Sequence, residues 1–341
     1  MATSLSNIPP GTRVLVTGAT GFTGAVLTRK LALAGLRVQA IARSSSSTDA
    51  LRDLDIRWFR GEVFDPETVR QACEDAEYVF HLAAAYREAK SSDEMYRKVH
   101  LESTQLLAHA AIAGKDFKRF VHVSTVGVHG HVERPPADES CAFDPGDVYQ
   151  KTKADAELWL RHFAAEHKLP FTVIRPCAIY GPGDRRLLKL FRMAARGWMP
   201  VLGRGKCLYH LIHVEDLTNI ILLSATHPAV LNEVIIAGDR DPVSLMQMSE
   251  IIANHFGRRL RVVRLPAWPF FVLAAMCEAA CRPLGVEPPL YRRRVAFYTK
   301  DRAFDTRKMR EKLGYQYVYT NESGLRQTAQ WYRDQGWIGA G

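Results

Sequence analysis

A tyrosine and a lysine four residues apart are the first pair in this sequence whose chemistry points to catalysis. Tyr149 and Lys153 lie in the stretch "DVYQKTKADAELWLRHFAAEH", whose spacing predicts an amphipathic helix with both side chains on one face. An ammonium beside a phenol favours the phenolate and moves the tyrosine pKa from about 10 toward neutrality. Such a tyrosine can exchange a proton with an alcohol or ketone oxygen. Chance pairs at this spacing are common, so the interpretation depends on the surrounding sequence.

Two hydroxyl residues provide that context. The stretch "RFVHVSTVGVHG" ends a predicted buried strand on Ser124 and Thr125, and Thr125 precedes Tyr149 by 24 residues. In nucleotide-binding α/β folds the carboxyl edge of the sheet lies beside the cofactor. Either hydroxyl is therefore predicted to bind the same substrate oxygen as Tyr149. Capping of the strand end is the alternative.

A glycine-rich turn near the N-terminus indicates a phosphate site. The stretch "RVLVTGATGFTGAVLTRKLALAG" places three glycines between a predicted strand and a predicted helix. A helix N-terminus presents unpaired N–H groups to an anion, and glycines let a diphosphate come close. We therefore predict a dinucleotide site lined by the turn residues Gly18, Thr20, Gly21, Phe22, Thr23 and Gly24. An ordinary strand-to-helix turn is the alternative.

An arginine at the end of the second predicted strand bears on which dinucleotide binds. The strand "RVQAIAR" ends on Arg43, and the nearest acid, Asp49, comes six residues later. A carboxylate at this place would bind the ribose 2′-hydroxyl, whereas an arginine accommodates a 2′-phosphate. NADP(H) is therefore favoured, and NAD(H) stays open. Glu62 and Val63, after the third strand, are predicted to flank the adenine, with a solvated loop as the alternative.

The order of predicted elements gives the fold class. Strands alternate with helices over the first half of the chain, which predicts an α/β fold with a Rossmann-type, doubly wound parallel sheet. After residue 180 the pattern breaks into shorter elements. We expect a dinucleotide-binding domain over 1–180, to which a segment at about 205–240 returns. Residues 181–341 are expected to form mostly a smaller C-terminal substrate lobe.

Composition excludes several classes of function. The 341-residue chain is 47% hydrophobic and carries a net charge of +10, but its lysines and arginines form no stripe interleaved with aromatic residues. Nucleic acid is therefore not expected as a partner. Six cysteines lie scattered without metal-ligand spacing, so no metal site and a reducing, cytoplasmic setting are expected. The start "MATSLSNIPPGTR" lacks the features of a signal peptide.

Motif order along the whole chain resembles a known family. The segments "TGATGFTG", "VFHLAA", "VSTVGVHG", "YQKTK", "IRPCAIYGPGD" and "IHVEDL" occur in the order seen in extended short-chain dehydrogenases/reductases, the NAD-dependent epimerase/dehydratase superfamily. The resemblance implies a Ser/Thr–Tyr–Lys site. Tyr149 would be the acid/base, and Lys153 would bind the nicotinamide ribose. Thr125 matches the catalytic hydroxyl position, and Ser124 is its neighbour. Further implied cofactor contacts are Leu82, Ala83, Ala84, Pro176 and Ala178.

One motif departs from the family pattern. Where the family usually reads "VNVEGT", this chain reads "VHLEST", with His100 in place of the asparagine and Ser103 in place of the glycine. A structural amide is therefore missing. His100 is either a member of a proton relay or a packed or surface histidine.

Two positions favour one branch of the family over another. Sugar-nucleotide enzymes typically hold the diphosphate with an asparagine at the position of Ala178 and with an arginine at the position of Tyr209 or His210. Losing these charge-assisted bonds would weaken diphosphate binding. We therefore expect an oxidoreductase similar to 3β-hydroxysteroid dehydrogenases and dihydroflavonol reductases, acting on a largely apolar, sterol-like or polycyclic secondary alcohol or ketone.

Two alternatives to that expectation stay open. The first is a sugar-nucleotide epimerase or dehydratase, to which Arg185, Arg186 and Arg204 would offer other phosphate contacts. The second is a non-catalytic NADP-binding sensor on the same fold.

An apolar run in the C-terminal part bears on substrate and location. It extends over 267–277, eleven residues where a bilayer span needs about 20. It is expected to line an apolar pocket or the core of the lobe. Alternatively, the segment 267–294 lies on a membrane surface with Arg292, Arg293 and Arg294 facing lipid phosphates. The family resemblance also allows a homodimer.

Overall fold

The described part of the chain comprises residues 7–85, 92–203, 205–281, 288–290, 292, 295 and 301–339 of a computed structural model. Predictions for Arg204, Arg293 and Arg294 lie outside these residues. The strands are β1 (Arg13–Thr17), β2 (Arg37–Ala42), β3 (Ile56–Arg60), β4 (Tyr78–His81), β5 (Arg119–Val123), β6 (Phe171–Pro176), β7 (Ala178–Tyr180), β8 (Trp198–Leu202), β9 (Leu208–Tyr209), β10 (Leu211–His213), β11 (Glu233–Ala237), β12 (Val243–Ser244) and β13 (Arg261–Leu265).

Helices connect these strands. They are α1 (Phe22–Leu33), α2 (Pro66–Cys73), α3 (Asp93–Arg97), α4 (Ser103–Ile112), α5 (Val148–His167), α6 (Leu188–Ala195), α7 (Val214–Thr226), α8 (Leu245–His255), α9 (Trp268–Cys281), α10 (Arg307–Leu313) and α11 (Asn321–Asp334). A π-helical turn, Lys98–Glu102, separates α3 from α4.

The central sheet has seven parallel strands in the order β11-β6-β5-β4-β1-β2-β3. Its inner strands are almost wholly buried, as expected for a parallel sheet covered by helices on both faces, whereas the edge strand β3 exposes Arg57 and Arg60. The predicted doubly wound α/β fold is confirmed. From β1 the chain adds strands outward in one direction (β2, β3), and from β4 it adds them in the other (β5, β6). The carboxyl ends of β1 and β4 therefore open a crevice at the point where the strand order reverses.

The chain after β6 builds an apolar cluster separate from the two clusters that pack against the central sheet. Three pairs of short strands form there, β7 with β10, β8 with β13 and β9 with β12. Phe191 on α6, Met248 on α8 and Tyr332 on α11 share the cluster. In contrast, β11 pairs with β6 in the large sheet. The division of the chain into two domains near residue 180 stays a prediction.

Glycine geometry sets how closely α1 approaches β1. Gly18 has φ +73°, a left-handed conformation that favours glycine. A Cβ added at Gly24 would lie 2.0 Å from the carbonyl oxygen of Gly18, which is closer than atoms can pack. The third glycine of the turn is therefore required for the contact between helix and strand.

We expect Gly24→Ala to lower the free energy of unfolding by about 1–3 kcal/mol or more, because the atoms that the added Cβ would meet belong to the backbone and cannot rotate away. Urea unfolding followed by tryptophan fluorescence measures the change. The matched control is Gly21→Ala, whose added Cβ would lie 3.2 Å from the same oxygen. Equal midpoints for the two variants would contradict the close contact.

Candidate active site

Helix α5 begins at Val148, so Tyr149 lies in its first turn and Lys153 in its second. The side chain of Asp147 accepts a hydrogen bond from the backbone N–H of Gln150, which caps the helix and fixes Tyr149 in its first turn. Lys153 lies one turn further and is 2% exposed. Its Nζ donates to the carbonyl of Val123, 3.0 Å away. The ammonium therefore sits at the carboxyl end of β5.

Burial also tunes this lysine. Desolvation lowers the pKa of Lys153 to about 8, and the nearby Glu157 carboxylate opposes the shift. The Lys153 ammonium is therefore easier to deprotonate than that of an exposed lysine. A cation held in a site shielded from water acts strongly on neighbouring groups.

The two predicted hydroxyls have different surroundings. Ser124 is buried, and its Oγ donates to Glu157 Oε2 at 2.7 Å. Thr125 is half-buried, and its Oγ1 accepts from the backbone N–H of Gly127 at 3.0 Å, which caps the short 3₁₀ helix Val126–His129. A threonine that accepts through its oxygen still has its O–H to donate. Thr125 is therefore better suited than Ser124 to donate to a substrate oxygen.

Below these hydroxyls lies a buried ion pair that the sequence analysis missed. Arg175 on β6 and Glu157 on α5 are 1% or less exposed, and Arg175 Nη2 donates to Glu157 Oε1 at 2.5 Å. Arg175 Nη1 also donates to the carbonyl of Glu139 at 3.1 Å. Glu157 lies one turn after Lys153, so its spacing along α5 was the signal that could have identified it.

His100 is a packed histidine in contact with the tyrosine. Its Nε2 accepts from the backbone N–H of Ala85 at 3.1 Å, and its Nδ1 lies 2.8 Å from Thr152 Oγ1. Because the Thr152 hydroxyl donates to the carbonyl of Val148, the ring proton must sit on Nδ1 and point to Thr152. The ring meets Tyr149 edge-on at 5.3 Å between centroids.

This arrangement argues against a proton relay through His100. Burial and, secondarily, the charge of Lys153 lower the pKa of His100 far below its ordinary value, so the ring is neutral. Both ring nitrogens are already used in structural hydrogen bonds. The π-helical turn around it is held by Ser103 and Thr104, whose hydroxyls donate to the carbonyls of Val99 and His100.

A second buried histidine joins the two walls of the crevice. Thr17, at the end of β1, lies 2.7 Å from His81 Nδ1 and accepts from the backbone N–H of Ala83 at 3.2 Å. His81 Nε2 in turn lies 3.0 Å from Thr104 Oγ1. These contacts fix the end of β4 beside the glycine turn, and sequence reasoning did not identify Thr17, His81 or Thr104.

The glycine turn has the properties that a dinucleotide diphosphate requires. Among the residues that the structure describes, no side chain caps the N-terminus of α1, whose N-cap residue is the exposed Gly21. A Cβ at Gly18 would meet the backbone of Leu82 and Ala83 at 2.9 Å, so these predicted contacts lie together. Thr20, Phe22 and Thr23 are half-buried around the turn, and Ala84 is exposed at the crevice end of β4.

The loop after β7 lies against this turn. The guanidinium of Arg186 stands 5.6 Å from the centroid of the Phe22 ring and donates to Asp184 Oδ1 at 2.7 Å. Pro176 is buried at the end of β6, and Ala178 is exposed at the start of β7. Phe22 therefore connects the turn to the loop that follows β7, which in the chain comes after the last two predicted cofactor residues.

Arg60, which was not predicted from the sequence, orders the loop at the predicted site for the adenosine end of the cofactor. Arg43 is exposed after β2, as is Glu62 after β3, whereas Val63 packs into the core. Arg60 Nη1 donates to the carbonyl of Ser46 at 3.1 Å, and Nη2 donates to Thr48 Oγ1 at 3.2 Å. Arg60 thus shapes the loop that follows Arg43.

Metal chemistry finds no support in the described ranges, where no three His, Cys, Asp or Glu side chains are grouped to hold an ion. All six cysteines are free thiols.

Comparisons with known proteins agree with this geometry. Residues 14–238 match the model of the NAD dependent epimerase/dehydratase family. The chain is 28% identical to the ceramide reductase of Caulobacter vibrioides over 329 residues, covering 95% of this chain and 96% of that one. It is 26% identical to 3beta-hydroxysteroid-dehydrogenase/decarboxylase isoform 2 of Arabidopsis thaliana over 301 residues, which cover 82% of this chain but only about half (52%) of that protein.

A solved structure shows the same fold. The UDP-glucose 4-epimerase of Thermotoga maritima, determined with UDP-glucose, superposes with a TM-score of 0.76 at 24% identity, covering 95% of this chain and 99% of that one. At that identity the likeness establishes the architecture and leaves the substrate open.

We expect Glu157→Gln to lower the free energy of unfolding by about 3–5 kcal/mol, because it leaves the Arg175 guanidinium buried without a counter-charge. Urea unfolding measures the loss. The control is Arg161→Ala, since Arg161 is 44% exposed and lies 3.9 Å from the same carboxylate, a contact expected to contribute less than about 1 kcal/mol.

A double variant tests the cause. Glu157→Gln with Arg175→Met removes both charges and is expected to recover part of the loss. If Glu157→Gln alone unfolded at the wild-type midpoint, the ion pair would not have the proposed structural role.

Proposed function

Because the chain belongs to the NAD dependent epimerase/dehydratase family and is an NAD(P)-dependent enzyme, we propose that it interconverts a secondary alcohol and a ketone on a largely apolar substrate. The observation that carries the proposal is the position of Lys153 at the carboxyl end of β5, one helical turn from Tyr149, where it donates to Val123, two residues before Thr125 in the chain. A small molecule and a nucleotide cofactor are the partners consistent with the family.

The proposed reaction assigns the proton chemistry to this chain's own residues. NADPH, when bound, supplies the hydride that reduces the carbonyl carbon. Tyr149 donates its phenolic proton to the ketone oxygen, and Thr125 donates a hydrogen bond to the same oxygen. The charged Lys153 stabilises the phenolate that remains. Oxidation of the alcohol uses the same groups in reverse, with the Tyr149 phenolate accepting the proton.

The packing around Tyr149 supports this role. His100 meets the tyrosine ring edge-on and is itself fixed by Ala85 and Thr152, so it provides one rigid wall against which the phenol packs. A preorganised acid or base avoids the cost of orienting itself during the reaction. We therefore assign His100 a positioning role.

Three observations favour an apolar substrate over a sugar nucleotide. His210 is buried, where its Nε2 donates to the carbonyl of Asp239 at 2.7 Å and its Nδ1 accepts from Phe304 N at 3.2 Å, so it cannot replace a phosphate-binding arginine. Arg186 pairs with Asp184, which balances its charge, and donates to the carbonyl of Ile179 at 2.6 Å, so two of its five N–H donors are engaged within the protein. Ala178 offers no amide.

NADP(H) is the favoured cofactor in this proposal. The support is the exposed Arg43 at the end of β2, together with the Arg60-ordered loop that follows it. A guanidinium pairs with a 2′-phosphate through charge-assisted hydrogen bonds.

We expect Tyr149→Phe to lower turnover by about 10²–10⁴-fold while leaving the Kd for NADPH unchanged, because only the transferable proton is lost. Turnover is measured as NADPH oxidation with a panel of ketosteroids and long-chain ketones. The matched control is Tyr96→Phe, since Tyr96 contacts His100 from α3. Full turnover by Tyr149→Phe would overturn the assignment, and a wild-type protein that binds NADPH but turns over no ketone would favour a sensor.

We expect Arg43→Asp to weaken NADPH binding by about 10–100-fold and to improve NADH binding, because a carboxylate repels the 2′-phosphate and can bind a 2′-hydroxyl. Fluorescence titration measures both affinities, and the control is Arg52→Asp, an exposed arginine outside the predicted contacts. Wild-type preference for NADH together with binding of UDP-sugars would point to an epimerase or dehydratase instead.

A further inference from the structure

Helix α9 exposes an apolar stripe that a globular protein would normally cover. Trp268, Val272 and Met276 are spaced four residues apart, so they lie on one face, and Leu273 lies beside them. Trp268 is 70% exposed and Met276 is 64% exposed. In this helix only Ala274 is buried among the described side chains. The expectation that the 267–277 run lies inside the lobe core therefore does not match the exposure of this face.

Basic residues adjoin this stripe on the N-terminal side. Strand β13 leads into α9 after two residues, and the segment 258–264 carries four exposed arginines, Arg258, Arg259, Arg261 and Arg264. Between Glu250 and Glu278 the sequence contains no acidic residue. Within the described residues, none of the four arginines takes part in an ion pair, so their charge is available to an anionic partner.

The strand pair β8–β13 also exposes apolar and basic side chains. Trp198 pairs in register with Arg261, and Pro200 pairs with Val263, so these side chains share one face of the two-stranded sheet. Trp198 and Val263 are both more than 40% exposed, whereas Met199 and Val201 on the opposite face are buried in the core. An exposed tryptophan beside arginines is typical of surfaces that sit at a lipid interface.

We propose that α9, together with Arg258, Arg259 and Arg261, docks this protein onto the surface of an anionic lipid bilayer, whereas Arg264, which pairs with Val201, lies on the other face of β13. The apolar stripe would enter the boundary between headgroups and acyl chains, and the arginines would pair with lipid phosphates. The 14-residue α9 is shorter than the roughly 20 residues that a span needs. Within the described ranges, no helix has the length and apolar character that crossing a bilayer requires.

The arginines proposed to contact lipid phosphates differ from those predicted from the sequence. Arg292 donates to Glu278 Oε2 at 2.8 Å, so its charge is balanced, and Arg293 and Arg294 lie outside the described residues. A second copy of the chain is a less suitable occupant, because symmetric pairing through this face would bring arginines of like charge together. An anionic membrane complements both the apolar stripe and the charge.

Docking would also bring the enzyme to its substrate. An apolar alcohol or ketone resides mostly in the lipid phase, so a protein held at the bilayer surface reaches it at a higher local concentration. This consequence rests on the proposed function, whereas lipid binding itself does not.

The experiment measures binding of the full chain to vesicles, without an activity assay. Purified protein is sedimented with phosphatidylcholine vesicles and with mixed phosphatidylcholine–phosphatidylglycerol vesicles, at low and high salt. We expect binding to the anionic vesicles, a blue shift of tryptophan fluorescence, and weaker binding at high salt. Because no substrate or cofactor is present, failure of this test leaves the proposed reaction untouched.

Two double variants separate the apolar and charged contributions. Trp268→Ser with Leu273→Ser is expected to lower the partition coefficient at least about tenfold and to abolish the blue shift. Arg258→Glu with Arg261→Glu is expected to lower it about 10–100-fold and to remove the salt dependence. Matched controls are Leu33→Ser, an apolar residue 71% exposed on α1, and Arg52→Glu, both expected to bind like the wild type.

Three results would overturn the proposal. They are no binding of the wild type to anionic vesicles, binding that neither double variant weakens, and a dimer on gel filtration that Trp268→Ser with Leu273→Ser dissociates. The last result would assign the stripe to a second copy of the chain. Thermal unfolding of each variant checks the fold, which substitutions at exposed positions should leave intact.

Discussion

Three buried charges, on Lys153, Glu157 and Arg175, govern how helix α5 lies on the central sheet. Arg175 on β6 can be desolvated only because Glu157 meets it, and Glu157 also accepts from Ser124 at the end of β5. Lys153, one turn earlier, reaches the carbonyl of Val123. The helix is thus bonded to two neighbouring strands at their carboxyl ends, and Tyr149 is presented at the same edge as Thr125.

A second, uncharged network joins the two strands, β1 and β4, between which the crevice opens. Thr17 joins β1 to β4 through His81 and Ala83, and His81 reaches the helix behind them through Thr104. His100 lies in the π-helical turn that precedes α4 and packs against Tyr149. Both histidines are kept neutral, chiefly by burial, which lets them act as fixed hydrogen-bonding groups rather than as titrating ones. The glycine turn can therefore stay open while its supports are rigid.

Helix α9 differs from the core elements in that its large apolar side chains are exposed. Among the described helices, the others expose at most one large apolar side chain each, such as Leu33 on α1, whereas α9 exposes four, including Trp268 and Met276, and follows a segment of exposed arginines in the sequence. Neither feature alone would be informative, since exposed apolar residues and surface arginines are common. Their adjacency, on a helix too short to span a bilayer, is what separates an interfacial surface from an ordinary one.

Local patterns alone determined the strands and helices of the first half of this protein, the glycine turn and the Tyr149–Lys153 spacing, because these depend on periods of two and 3.6 residues and on glycine conformation. Only the tertiary structure decided that Ser124 bonds to Glu157 while Thr125 keeps a donor to offer, that His100 is packed, and that α9 is exposed. These outcomes depend on partners 15 to 33 residues away or on burial by distant segments. Such partners are brought together by the packing of whole elements, which a local pattern does not contain.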